Sequence, residues 1–206
     1  MAELSLPHLL ALAAALGWAS GMRLYAAVFF IGLAGRLEWL PLPAGLEVLT
    51  YTPVLMVAAT LMLIEFFADK IPGIDSLWDV LHTFIRIPAG AVLAAAALGA
   101  DSQSWAVIAA LLGGALAATA HAAKAGTRAA ANTSPEPFSN IALSLTGDAF
   151  VPVLLWLSWS HPLAFAVVMG LSLLLALVLI RLTFKLLRGV VRKLRRRPNA
   201  AVSIKS

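Results

Sequence analysis

Cysteine is absent from this 206-residue chain, which excludes disulfides, thiol catalysis and Cys metal sites and leaves the compartment open. Charge is scarce as well. Asp, Glu, Lys and Arg make up 12% of the residues, about half the share of a soluble domain. With 61% hydrophobic residues and a mean hydropathy of +0.92, the chain cannot cover a water-facing surface. Its apolar runs recur along the whole length, so it reads as an integral membrane protein with one helical membrane domain and no soluble domain. Lys and Arg are missing before the first apolar run, in "MAELSLPHLL", so a cleaved signal peptide is not expected.

Acid is missing from the other end. From Arg181 onward there are nine Lys or Arg and no Asp or Glu, whereas the first 180 residues hold six cations and ten acids. The sequence pI of about 10.1 therefore belongs to the tail, and the membrane core is mildly acidic. The tail places cations at 181, 185, 188, 192 and 195, a helical spacing that continues the last apolar run into an interface. Anionic lipid is the partner this implies. Aromatic and polar base readers are lacking among those cations, and nucleic acid is not expected.

Apolar segments centre on 8–35, 52–68, 84–100, 105–123, 141–158 and 162–184. The expected fold is all-α, a polytopic transmembrane bundle of about six spans, with 1–184 as one membrane domain and 185–206 as a basic cytoplasmic tail. The location expected is a bacterial inner membrane, with both termini cytoplasmic. Counting back from the tail puts Lys70, Arg86, Lys124 and Arg128 on the cytoplasmic side and Arg36, Glu38, Glu47 and Asp101 outside, in keeping with the positive-inside rule. Trp39, Trp105, Trp156 and Trp159 read as interfacial belt residues.

Two segments do not read as simple helices. Gly17, Ser20, Gly21 and Arg23 interrupt the first run, which predicts either a broken helix or a long tilted one with small residues for close packing. Gly147, Asp148 and Pro152 mark a second expected break in the fifth span. Spans two and three enclose one polar connection and spans four and five another, so two related helical hairpins are a further expectation, although the residue identity between them is slight.

The first connection carries Glu65 and Asp69, four apart and hence on one helix face, with Lys70 beside them. Pro72 and Gly73 turn the chain. Asp75, Asp79, His82 and Arg86 then follow at spacings of four, three and four, an acid-rich stripe with Pro88 and Gly90 as a break just beyond it. The second connection has His121, Lys124, Arg128 and Asn132 at spacings of three, four and four, a cationic stripe. Two prolines in "NTSPEPFSN" stop that helix, and Ser134 or Asn140 is placed to cap the next. An unpaired charge in low dielectric costs on the order of several kcal/mol, so acid on one hairpin and base on the other are expected to pair. Arg23 and Asp148, each alone in an apolar span, either pair with each other or complete the site.

"EFFADKIPGIDSLWDVLHTFIRIPAGA" with "HAAKAGTRAAANTSPEPFSN" resembles the signature of a bacterial integral membrane family catalogued as a domain of unknown function, over about residues 8–160. The resemblance implies no reaction or substrate. It supports Glu65, Asp69, Lys70, Asp75, Asp79, His82, Arg86, His121, Lys124, Arg128, Asn132, Ser134 and Glu136 as the site. Its pattern leads one to expect two adjacent acids in the fifth span, where this chain reads Thr146-Gly147-Asp148 and keeps one.

Clustered ionisable groups in membrane spans point first to transport or conduction of a small ion or polar solute. Glu65 and Asp69 would take a cation or proton, Lys124 and Arg128 an anion, and His82 and His121 would respond to pH near neutrality. The alternatives are a membrane enzyme acting on a lipid headgroup or lipid-linked phosphate, and a structural subunit with a salt-bridged seam. No cofactor is evident. A hard cation on Asp75 and Asp79 suits the carboxylates better than zinc, because His82 and His121 lie on different hairpins. A homo-oligomer is compatible with so small a chain, and no residue names its interface.

Overall fold

A computed structural model describes residues 4–71, 73–98, 103–132 and 138–195. Among them, six α-helices follow in order: α1 (Leu6–Arg36), α2 (Thr52–Ala68), α3 (Ile74–Leu98), α4 (Gln103–Ala131), α5 (Phe138–Ser160) and α6 (Pro162–Arg195). A 3-10 helix, Ala44–Thr50, lies between α1 and α2, and the described residues contain no strand. Proline opens several of these helices, at Pro7, Pro53 and Pro162, where its missing N–H has no intrahelical partner to lose.

The helix count agrees with a multi-pass membrane protein. Five helices, all but α2, are long and apolar enough to cross a bilayer. The 17-residue α2 makes a sixth span only together with the 3-10 helix, to which it is joined by a 71° bend. Helix α6 runs from Pro162 through position 184 to Arg195 without interruption. Residues 196–206 of the tail lie outside the described residues.

Helix α1 is the centre of the bundle. It is the most buried span and packs against α2, α3, α4 and α5, while α6 is the least buried span and turns Leu163, Leu171, Leu174 and Leu182 outward. A helix that is apolar all round belongs inside such an assembly. Neither expected hairpin is closed. α2 barely touches α3, and α4 barely touches α5, whereas α3 and α4 form the most extensive helix pair. The two connections are therefore brought together by their shared packing on α1 and by the α3–α4 contact.

Lipid supplies no hydrophobic drive for helix association, so close backbone approach has to supply the contact. The point of closest approach is built from small residues. A Cβ at Gly17 would stand 2.7 Å from Gly113 Cα, and one at Gly90 would stand 2.6 Å from Ala117 Cβ. A Cβ at Gly21 would overlap the Ala117 carbonyl. Both readings of the first span thus hold at different residues: Gly17 and Gly21 serve packing, and the break falls at Arg23, whose φ of −148° and ψ of 76° are non-helical.

Two expected breaks do not occur. α5 is continuous through Gly147, Asp148 and Pro152, and α3 is continuous through Pro88 and Gly90. Neighbouring helices tolerate an interior proline in a membrane span, and Gly90 serves the α1–α3–α4 crossing instead. Pro72 lies outside the described residues, but Gly73 has φ +90°, which an L side chain adopts poorly. A Cβ there would meet nothing within 4 Å, so Gly73→Ala tests backbone strain alone. The expected loss is about 1–2 kcal/mol in thermal unfolding, with Gly73→Asn closer to wild type.

Candidate functional site

The polar residues of α1, α2, α3, α4 and α5 converge in one buried network. Its first hub is Asp69, the residue that ends α2, with its side chain fully buried. Arg23 donates to Asp69 Oδ2, Lys124 Nζ lies 3.0 Å from the same oxygen, and Arg128 Nη1 lies 2.6 Å from Oδ1. Burial by itself would raise the Asp69 carboxyl, but Lys124, Arg23 and Arg128 outweigh it and hold the group below the usual carboxylate range.

The second hub is Arg86 on α3, also fully buried. It donates to Glu65 Oε1 and, at 2.7 Å, to Asp79 Oδ1. Lys124 joins the hubs, with its Nζ 3.2 Å from Asp79 Oδ1 and 3.9 Å from Glu65 Oε1. Arg86 is the thirteenth of the 25 residues of α3, the middle of that helix. The network therefore reaches the middle of the bundle.

The α1 break is part of it. Lys124 donates to the Met22 carbonyl at 3.1 Å, the group next to the non-helical Arg23, so a carbonyl at the break is satisfied by a cation from α4. Arg23 is 3% exposed and does not reach toward an interface. Its Nη2 lies 2.9 Å from Asp148 Oδ1 and donates to the Ser144 carbonyl at 3.0 Å and the Ser144 hydroxyl at 2.9 Å. Lys70 completes this edge, 3.2 Å from Asp148 Oδ2 and 3.0 Å from the centre of the Phe66 ring. Arg23 and Asp148 thus both pair with each other and join the cluster.

Asp75 closes the other edge. Its Oδ1 accepts from the Gly73 and Ser76 amides at 2.8 and 2.6 Å, fixing the start of α3, and Asn132 Nδ2 lies 3.3 Å from Oδ2. Arg128 Nε stands 3.8 Å from Asp75 and 3.9 Å from Asp79. Among the described residues, no three His, Asp or Glu side chains are gathered to hold a metal ion.

His82 and His121 are each held by hydrogen bonds. His82 Nδ1 donates to the Trp78 carbonyl at 2.8 Å, which leaves Nε2 to accept from the Tyr25 hydroxyl at 3.0 Å. The Thr83 hydroxyl donates to the Asp79 carbonyl, so it accepts from His121 Nε2 at 2.7 Å. His121 Nδ1 then faces Arg86 Nη1 at 3.3 Å, a group that only donates.

Eleven of the thirteen sequence-derived site residues lie in or beside this cluster; the other two, Ser134 and Glu136, lie outside the described residues. Asn140 is a third-residue position inside α5 that donates to Asn132, not a cap. Ser144 was legible in principle, because Asn140, Ser144 and Asp148 repeat every four residues along one face of α5. Tyr25 and the buried Ser20, which donates to the Arg86 carbonyl at 2.7 Å, carry no such signal.

Residues 10–182 match the profile of a family described as Domain of unknown function (DUF4126), and the chain belongs to it. No curated protein and no solved structure matches the chain.

Proposed function

We propose that this family member moves a small ion or polar solute across a bacterial inner membrane, with both termini in the cytoplasm, by exchanging that solute into the charged network. The observation that carries the reading is the placement of the network at the break in α1, mid-bundle, where a membrane protein exposes irregular backbone only to protein or to a polar path. Arg23, Arg86, Lys124 and Arg128 are each shared among carboxylates, so a charged solute competes with an existing partner instead of filling an unpaired site.

Lys124 and Glu65 are the groups to neutralise first. Without Lys124, Asp69 keeps Arg23 and Arg128, and Asp79 keeps Arg86; without Glu65, Arg86 keeps Asp79. Folding is therefore expected to survive Lys124→Met or Glu65→Gln, while flux is lost. Proteoliposomes tested against protons, alkali cations, small carboxylates and phosphate read this directly. Wild-type flux from a folded double variant sinks the proposal.

A structural seam is the second reading, favoured by the balance of charge. Arg23, Lys70, Arg86, Lys124 and Arg128 face Glu65, Asp69, Asp75, Asp79 and Asp148, five against five. If each single neutralisation destabilises the fold and Asp69→Asn with Lys124→Met restores it, pairing alone accounts for the charges.

A further inference from the structure

Because α4 and α5 barely touch, a cavity of about 250 Å³ opens between them, backed by α1 and bounded by α6. Arg23, Lys124 and Arg128 lie in its wall, and no carboxylate does among the described residues; the acids that pair with these cations are not part of the lining. The rest of the wall is mostly apolar, with Leu143, Phe150 and Leu179 prominent.

Two buried N–H groups on the lining residues have no partner. One is Arg23 Nε, which a Cβ on the lining residue Gly147 would meet at 3.8 Å, and the other is the Trp18 indole Nε1. Buried donors are nearly always satisfied, so two orphans beside one cavity call for an acceptor within it. Cations and free donors at one part of the wall specify an anionic head. An aliphatic remainder specifies a tail, since an apolar cavity holds water poorly.

We infer that this cavity binds a single-chain anionic amphiphile, its carboxylate or phosphate head on Arg23, Lys124 and Arg128 and its alkyl chain along Leu143, Phe150 and Leu179. At about 30 Å³ per water-sized group, the volume takes roughly eight methylene-sized groups, too few for the two chains of a phospholipid. The site stands whether or not any solute crosses the protein.

The test is equilibrium binding of octanoate and of octyl phosphate to the full chain in phosphatidylcholine nanodiscs, beside octanol, acetate and inorganic phosphate. Gly147→Leu fills the cavity next to Arg23, and its Cβ meets neighbours only at ordinary contact distance. Ser172→Phe fills it from α6, and Gly170→Leu, outside the lining, is the control. Saturable binding of either chain is expected, at least tenfold weaker in a cavity-filling variant that retains its thermal stability and unchanged in Gly170→Leu. The tighter of the two chains names the head. Absence of saturable binding by both overturns the inference. Unchanged binding in both filled variants, octanol as tight as octanoate, or the free anions as tight as their chains would overturn it equally.

Discussion

Asp69→Asn is expected to lower folding stability by about 3–5 kcal/mol, the range for breaking a buried ion pair from one side. Three cations from two other helices, Arg23, Lys124 and Arg128, lose a partner at once, and the site is too buried for water to replace it. In a chain of this size that corresponds to a fall in melting temperature on the order of 10 °C. The measurement is thermal unfolding of the purified protein, with Glu38→Gln as a surface control. Adding Lys124→Met removes one stranded cation and is expected to recover part of the loss, and a double variant no more stable than Asp69→Asn would refute the pairing. The pH dependence has a definite sign. The Asp69 carboxyl is lowered on folding, so its contribution is complete above the unfolded value of about 3.9 and is lost only as pH falls below it. Between pH 5 and 7 the difference between wild type and Asp69→Asn should stay constant.

Gly21→Val is expected to cost about 3 kcal/mol or more, the upper end of overpacking, and to prevent accumulation of folded protein. Its Cβ would collide with the Ala117 carbonyl, which is helix backbone and cannot turn away as a flexible side chain can. Gly170→Val supplies the comparison. Nothing lies within 4 Å of a Cβ there, and the change should stay within about 0.5 kcal/mol. Equal yields of monodisperse protein from both variants would show that α1 does not need this close approach to α4.

The same two sites separate what was legible from what was not. Glu65, Asp69, Asp75, Asp79, Lys124 and Arg128 stood out because charge at helical spacing beside apolar runs is costly unless paired. Which charge meets which was not legible. Acid on one hairpin was expected to pair with base on the other, yet Lys124 stands 3.9 Å from Glu65, while Arg86 from the same hairpin as Glu65 takes that carboxylate. The small residues of α1 were ambiguous for a related reason: glycine marks both a break and a close approach, and only the neighbour decides. At Gly17 and Gly21 the neighbour is α4, and the break moved to Arg23. Pro88 and Pro152 were expected to mark breaks and do not, because proline removes one local bond that a packed span can do without.

By itself, the sequence determined that this is an all-α, multi-pass membrane protein with its ionisable groups gathered in two connections, because hydropathy and helical periodicity are local properties of the chain. Tertiary structure alone decided that α1 is the centre, that Asp69 joins the two connections while Arg23 and Asp148 tie the first of them to α1 and α5, and that α4 and α5 part to leave a cavity with a cationic wall. Those depend on which helices touch, and in lipid, where apolar faces are interchangeable, contact is settled by backbone fit and charge pairing among residues far apart in the chain.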